Sequence, residues 1–172
     1  MVRFERMRSC DRSSGMEGLY DRMCALHRAF PRNELIGYRK EYIGIILMRQ
    51  RNDSAVGHRI ITAYSSVDSA RYPDDFHMIK ALLIPETENV VVRYRLVREC
   101  LNYFHRVQSH SEIARMYVEA GHVMFDLRDT IKGVEYSRKA AEIYERLGLY
   151  YPYMLSKQNM AVFKGREESG VS

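Results

Sequence analysis

The chain has 172 residues, 46% of them apolar and 28% charged, a balance that excludes a disordered polypeptide and allows a domain with a sizeable core. Its longest apolar runs, such as residues 43–48 and 81–84, fall far short of the roughly 20 residues that cross a bilayer, so no membrane partner is expected. The net charge of +5 is carried mostly by arginine, whose guanidinium fork pairs carboxylates and phosphates, and this surplus favours acidic partners.

Taken in chain order, residues 1–14 are polar and basic and read as a flexible N-terminus. From Gly15 to Phe30, apolar residues recur every three or four positions (Met16, Leu19, Tyr20, Met23, Leu26), which predicts a first helix. The same spacing predicts a second over 34–50 and a third over 53–71. A shorter fourth runs over 74–84, with Asp74 and Asp75 placed to cap its amides and Pro85 to end it. Thr87 opens a fifth over 88–107, although the β-branched run Val90–Val92 alone would also suit a strand. A sixth follows Ser109 and Ser111. The seventh is capped by Asp129 and closed by Gly148, a residue free to adopt positive φ. An eighth covers about 151–163, and 165–172 is a polar tail expected to be flexible.

Two features bear on location and redox state. Arg3, Arg6 and Arg8 are followed by Ser13, Ser14 and Gly15 rather than an apolar stretch, which does not read as a secretory signal, so a cytoplasmic protein is expected. Cys10, Cys24 and Cys100 are odd in number and far apart, a pattern of packed thiols rather than of disulfides or a zinc knuckle.

The segment Tyr117-x-x-Ala120-Gly121-x-x-Met124, followed by Asp129-x-x-x-Gly133-x-x-x-Ser137-x-x-Ala140, resembles a tetratricopeptide repeat (TPR). In that family an aromatic residue opens helix A, a small residue lies where helices A and B cross, and small residues on helix B admit its partner. Tyr117, Gly121, Gly133 and Ala140 fill those places. Weaker copies use Gly44 with Leu47, Val56, Ile60 and Ala63, and Ala81 with Ile84, Val97 and Cys100. The crossing positions Gly44, Ala81 and Gly121 are 37 and 40 residues apart, longer than the roughly 34 of the standard repeat. Met160 and Arg93 depart from the small residues the pattern asks for. The resemblance implies an all-α solenoid of seven or eight helices spanning 15–164.

It also implies a ligand groove lined by the faces of A helices that point away from their B partners. Carried over by position, the groove residues are Tyr38, Glu41, Ile45 and Arg49, then Met78 and Leu82, then Arg115, Val118, His122 and Asp126, and finally Met154, Lys157 and Ala161. The family's clamp of Lys and Asn around a terminal carboxylate is not reproduced, because Val118 and His122 stand in the relevant places.

Catalytic signatures are missing. The sequence has no Gly-rich phosphate loop, no H-E-x-x-H and no G-x-S-x-G, and His105 and His110 read as surface histidines rather than metal ligands. No catalytic residue, metal or cofactor is expected. The leading expectation is a protein- or peptide-binding adaptor or complex subunit with an acidic ligand. The alternatives are a peptide-responsive regulator, suggested by the long repeats, and an arginine-mediated nucleic-acid binder, disfavoured because the bases form no stripe.

Overall fold

The computed structural model describes the backbone of residues 2–168 and the side chains of residues 15–165. The expectations for 1–14 and 165–172 therefore fall almost wholly outside the described side chains. The protein is all-α, with eight helices and no strand among the described residues: α1 (Val2–Ala29), α2 (Glu34–Gln50), α3 (Val56–Ser66), α4 (Pro73–Leu83), α5 (Val90–Arg106), α6 (His110–Asp126), α7 (Thr130–Arg146) and α8 (Tyr150–Glu168).

The run Val90–Val92 is helical because Asn89 caps it, its side chain accepting from the amides of Val91 (3.0 Å) and Val92 (3.1 Å). Asn33 and Asp129 cap α2 and α7 in the same way, through Ile36 and Lys132. Three helices depart from the expected bounds: α1 begins at Val2 rather than 15, α8 runs to Glu168 rather than about 163, and α3 is five residues shorter at its C-terminal end than the 53–71 read from periodicity. Val67 turns to extended backbone, and the Asp68 side chain then accepts from the amides of Ala70 (2.9 Å) and Arg71 (3.1 Å). That local turn outcompetes another helical turn.

Four helices end alike. Asn52, Gln108, Arg128 and Gly148 each adopt positive φ, and the next amide reaches back to a carbonyl in the last turn: Asp53 to Met48, Ser109 to Phe104, Asp129 to Met124 and Leu149 to Tyr144, all at 2.9–3.0 Å. This closure satisfies carbonyls that the helix end would otherwise orphan. In the C-terminal half it recurs with a fixed period, since Gln108, Arg128 and Gly148 are 20 residues apart, as are the starts of α5, α6, α7 and α8. One helix and one turn thus occupy 20 residues, so a pair occupies 40, which accounts for spacings longer than 34.

The chain divides into two compact units, Met1–Leu83 and Ile84–Ser172. In the N-terminal unit, α2, α3 and α4 enclose Ile45, Ile60, Ala63, Val67, Ile79 and Leu82, with Tyr38, Tyr42, Tyr64 and Phe76 packed around them. Helix α1 packs along α2, and Gly44 sits under the Tyr20 ring, where an added Cβ would lie 3.1 Å from the ring. Gly44 therefore serves the α1–α2 contact rather than the α2–α3 crossing expected from the repeat pattern.

In the C-terminal unit α5, α6, α7 and α8 pack in chain order. The α6–α7 crossing is made by Gly121 and Gly133. A Cβ on Gly121 would lie 3.2 Å from the Gly133 carbonyl, and a Cβ on Gly133 would lie 3.3 Å from the Gly121 carbonyl. Hydrogen fits between backbones this close without displacing either one, and a methyl does not. Phe163 of α8 covers Gly133 and stacks on Phe125 at 4.7 Å. The pair expected to form the middle copy, around Ala81, straddles the boundary between the two units.

Candidate functional site

The expected groove residues meet different fates. Ile45 (0% exposed) and Leu82 (3%) belong to the core of the N-terminal unit and present no surface to a ligand, which corrects their assignment. Tyr38 also packs on that core, and its hydroxyl donates to the Ser66 carbonyl at 3.2 Å. Glu41 pairs with Arg59 across α2 and α3, and Arg49 donates to the Leu82 carbonyl at 2.9 Å. Met78 is half-buried. These side chains tie helices together.

In the C-terminal unit, Arg115 pairs with Glu112 one turn earlier (2.7 Å), and Val118 packs beside Ala114, Ala140 and Tyr144. Asp126 pairs with Arg93, so the arginine that broke the repeat pattern has an acidic partner one helix on. His122 is exposed and meets Asn159 of α8 at 3.2 Å. Met154 and Lys157 are exposed on α8, with the Lys157 ammonium 5.5 Å from the Tyr153 ring.

A distinct cleft lies on the other side of α6. Its volume is about 590 Å3, and its walls are His105 and Gln108 from the end of α5 and the turn after it, His110, Ile113 and Tyr117 from α6, and Lys139, Glu142, Ile143 and Arg146 from α7. None of the expected groove residues lines it. On a helix of 3.6 residues per turn, His110, Ile113 and Tyr117 share one face of α6, whereas Arg115, Val118, His122 and Asp126 occupy the opposite face. The α7 contributors Lys139, Glu142, Ile143 and Arg146 likewise recur at three- and four-residue steps.

The cleft is braced from beneath. Tyr117 stacks on Tyr136 with centroids 5.9 Å apart, meets His105 edge-on at 6.0 Å, and shares a 3.2 Å hydrogen bond between its hydroxyl and His105 Nε2. The Lys139 ammonium lies 5.4 Å from the Tyr136 ring and 5.9 Å from the Tyr117 ring, and donates to Glu135 at 2.7 Å. The hydrogen bond to Glu135 raises the Lys139 pKa and lowers that of Glu135. Burial, reinforced by Tyr94, raises the Tyr136 phenol. Behind this layer, Tyr144 is pushed up to about 12 by burial, against a smaller opposing effect of Arg115.

Around the mouth the polar groups are less committed. Glu142 is paired with Arg138, outside the lining. Arg146 uses only its Nε, donated to the Glu142 carbonyl at 3.3 Å. Among the described residues, the terminal guanidinium nitrogens of Arg146 and the side chains of Gln108 and His110 have no partner. No group of three or more His, Cys, Asp or Glu placed to hold a metal occurs among the described residues, and no described helix is long and apolar enough to cross a membrane.

His105 and His110 stood out in the sequence only as a pair near one turn. The cleft needs the C-terminal parts of α5 and α7 brought against the N-terminal half of α6, and the one available signal was the face shared by Lys139, Ile143 and Arg146 at helical spacing. No protein-family model, curated protein or solved structure matches this chain.

Proposed function

We propose that the chain is a non-catalytic module that binds a protein or peptide, built like a TPR-type helical solenoid over its C-terminal unit and acting as an adaptor or subunit of a larger assembly. The observation that carries this reading is the reciprocal Gly121–Gly133 crossing set within helices of fixed 20-residue period. Stacked helix pairs of this kind generate extended, laterally accessible surfaces suited to chain-like ligands. The cleft between α5, α6 and α7 is lined by Ile113, Tyr117 and Ile143 together with six polar or charged side chains, groups suited to a polar ligand. Cys24 and Cys100 are free thiols, which suits a reducing compartment such as the cytoplasm.

The reading is tested by panning a random peptide library displayed on phage against the full chain. Convergent enrichment of related sequences is expected. Repeated panning that enriches no sequence family overturns the reading.

A further inference from the structure

We infer that the cleft between α5, α6 and α7 recognises an acidic peptide segment, seating a carboxylate on Arg146 and an adjacent aliphatic side chain against Ile143. The inference rests on the peptide-binding reading and assigns its site to a face of α6 opposite the one the repeat pattern indicates.

Size comes first. A volume of about 590 Å3 lies within the roughly 300–1,000 Å3 typical of ligand clefts. Charge comes next. Lys139 and Arg146 are the permanent cations of the lining and Glu142 its acid, and that acid is engaged by Arg138. Lys139 is engaged by Glu135, which leaves Arg146 as the cation with donors to spare. Its Nε is anchored to the Glu142 carbonyl, so the guanidinium is held by its own helix while its terminal nitrogens stay available. A planar fork with free terminal donors pairs a carboxylate with two parallel hydrogen bonds. Gln108 and His110 add uncommitted polar groups from the opposite wall. Gln108 is held in place by a positive-φ backbone (56°), secured by the bond from the Ser109 amide to the Phe104 carbonyl.

The aromatic groups discriminate between classes of acidic ligand. Binding to single-stranded nucleic acid relies on open ring faces on which bases stack. Here Tyr117, the aromatic ring of the lining, is stacked on Tyr136, met by the edge of His105 and approached by the Lys139 ammonium. It braces the site rather than offering a platform. The half-buried Ile143, set over the buried Ile113, provides the apolar contact instead, suited to an aliphatic side chain. A carboxylate beside a leucine or isoleucine satisfies both walls, and a peptide supplies that combination.

The probe is a fluorescein-labelled peptide, acetyl-Gly-Leu-Glu-Leu-Glu-Gly-amide, compared with its glutamine counterpart by fluorescence anisotropy on the full chain. The acidic peptide is expected to bind at least about tenfold more tightly than the glutamine peptide, and Arg146→Glu to weaken it about tenfold or more, the scale for losing a charge-assisted pair. Arg146 is on the surface, and circular dichroism is the check that the variant folds. Lys157→Glu, on α8, is expected to leave affinity unchanged. Equal binding of both peptides, equal binding to Arg146→Glu, or loss with Lys157→Glu instead overturns the assignment. So does failure of both peptides to bind, or tighter binding of a short oligothymidylate. Library enrichment alongside any of these would leave peptide binding standing and remove only this site.

Discussion

Helix α2 of the N-terminal unit is tied to its neighbours by charge: Arg39 to Asp75 of α4, Glu41 to Arg59 of α3, Glu34 to Arg71 beyond α3, and Arg51 to Glu17 of α1. In the C-terminal unit Arg93–Asp126 joins α5 to α6, but Glu112–Arg115, Asp129–Lys132, Glu135–Lys139 and Arg138–Glu142 each stay within a turn or so of one helix or its cap. Its helices are instead seated by Gly121, Gly133 and the buried Ser137. Exposed ion pairs each contribute roughly 0–1 kcal/mol, whereas a methyl added at the backbone crossing forces its neighbours to shift. Specificity in one unit comes from groups with freedom to move, and in the other from the absence of side chains. The unit seated by the glycine crossing is the one that carries the cleft.

The contrast is broken most directly at the glycines. Gly121→Ala places a methyl 2.9 Å from the Ser137 hydroxyl and 3.2 Å from a backbone carbonyl. We expect it to destabilise by about 1–3 kcal/mol in urea unfolding followed by circular dichroism. Gly44→Ala meets only the tip of the Tyr20 ring, and the gain of roughly 0.5–1 kcal/mol from replacing a mid-helix glycine offsets that contact. A near-zero change is expected there. Equal costs at both positions would erase the distinction between the units.

Charge is the next lever. Arg39→Ala leaves Asp75, 5% exposed, without its ionic partner and should cost about 1–3 kcal/mol, as for a buried group left unsatisfied. Asp75, which the sequence suggested as a helix cap, also anchors α4 to α2. The same unfolding measurement applies, and a change below the error of the fit would show that the pair contributes nothing.

A smaller effect is expected from capping. Asn89→Ala removes the acceptor for the first amides of α5 and should cost about 1 kcal/mol, visible as a shift in the urea midpoint. The smallest effect at neutral pH belongs to Tyr144→Phe. Because the Tyr144 pKa is raised from 10.0 to about 12 in the folded state, the unfolded chain loses this proton first as pH rises. The stability that depends on the neutral phenol is complete below pH 10 and falls as pH climbs towards about 12. Tyr144→Phe should match the parent at neutral pH and lose less stability over that alkaline window. Parallel pH profiles for the two proteins would show that the phenol is not buried as described.

All eight helices were legible in the sequence, most of them to within two residues, because apolar spacing, Asp129 as a cap and Gly148 as a stop act over a few residues, whereas the caps Asn33 and Asn89 went unread. The end of α3 was misread since apolar periodicity through Val67 hid the turn organised by Asp68. Groove positions were less legible. Periodicity shows that Ile45 and Leu82 lie on apolar faces but not that other helices cover those faces, and both are core residues.

What the sequence by itself determined is therefore local: the helix count, a repeat spacing longer than the standard one and the glycines available for close approach. Only the tertiary structure decided which neighbour each small residue admits, Tyr20 for Gly44 and Gly133 for Gly121, and which distant side chains share a cleft. The physical reason is range. Hydrogen bonds and caps along a helix couple residues three or four apart, whereas His105, Tyr117 and Arg146 meet only after three helices have packed.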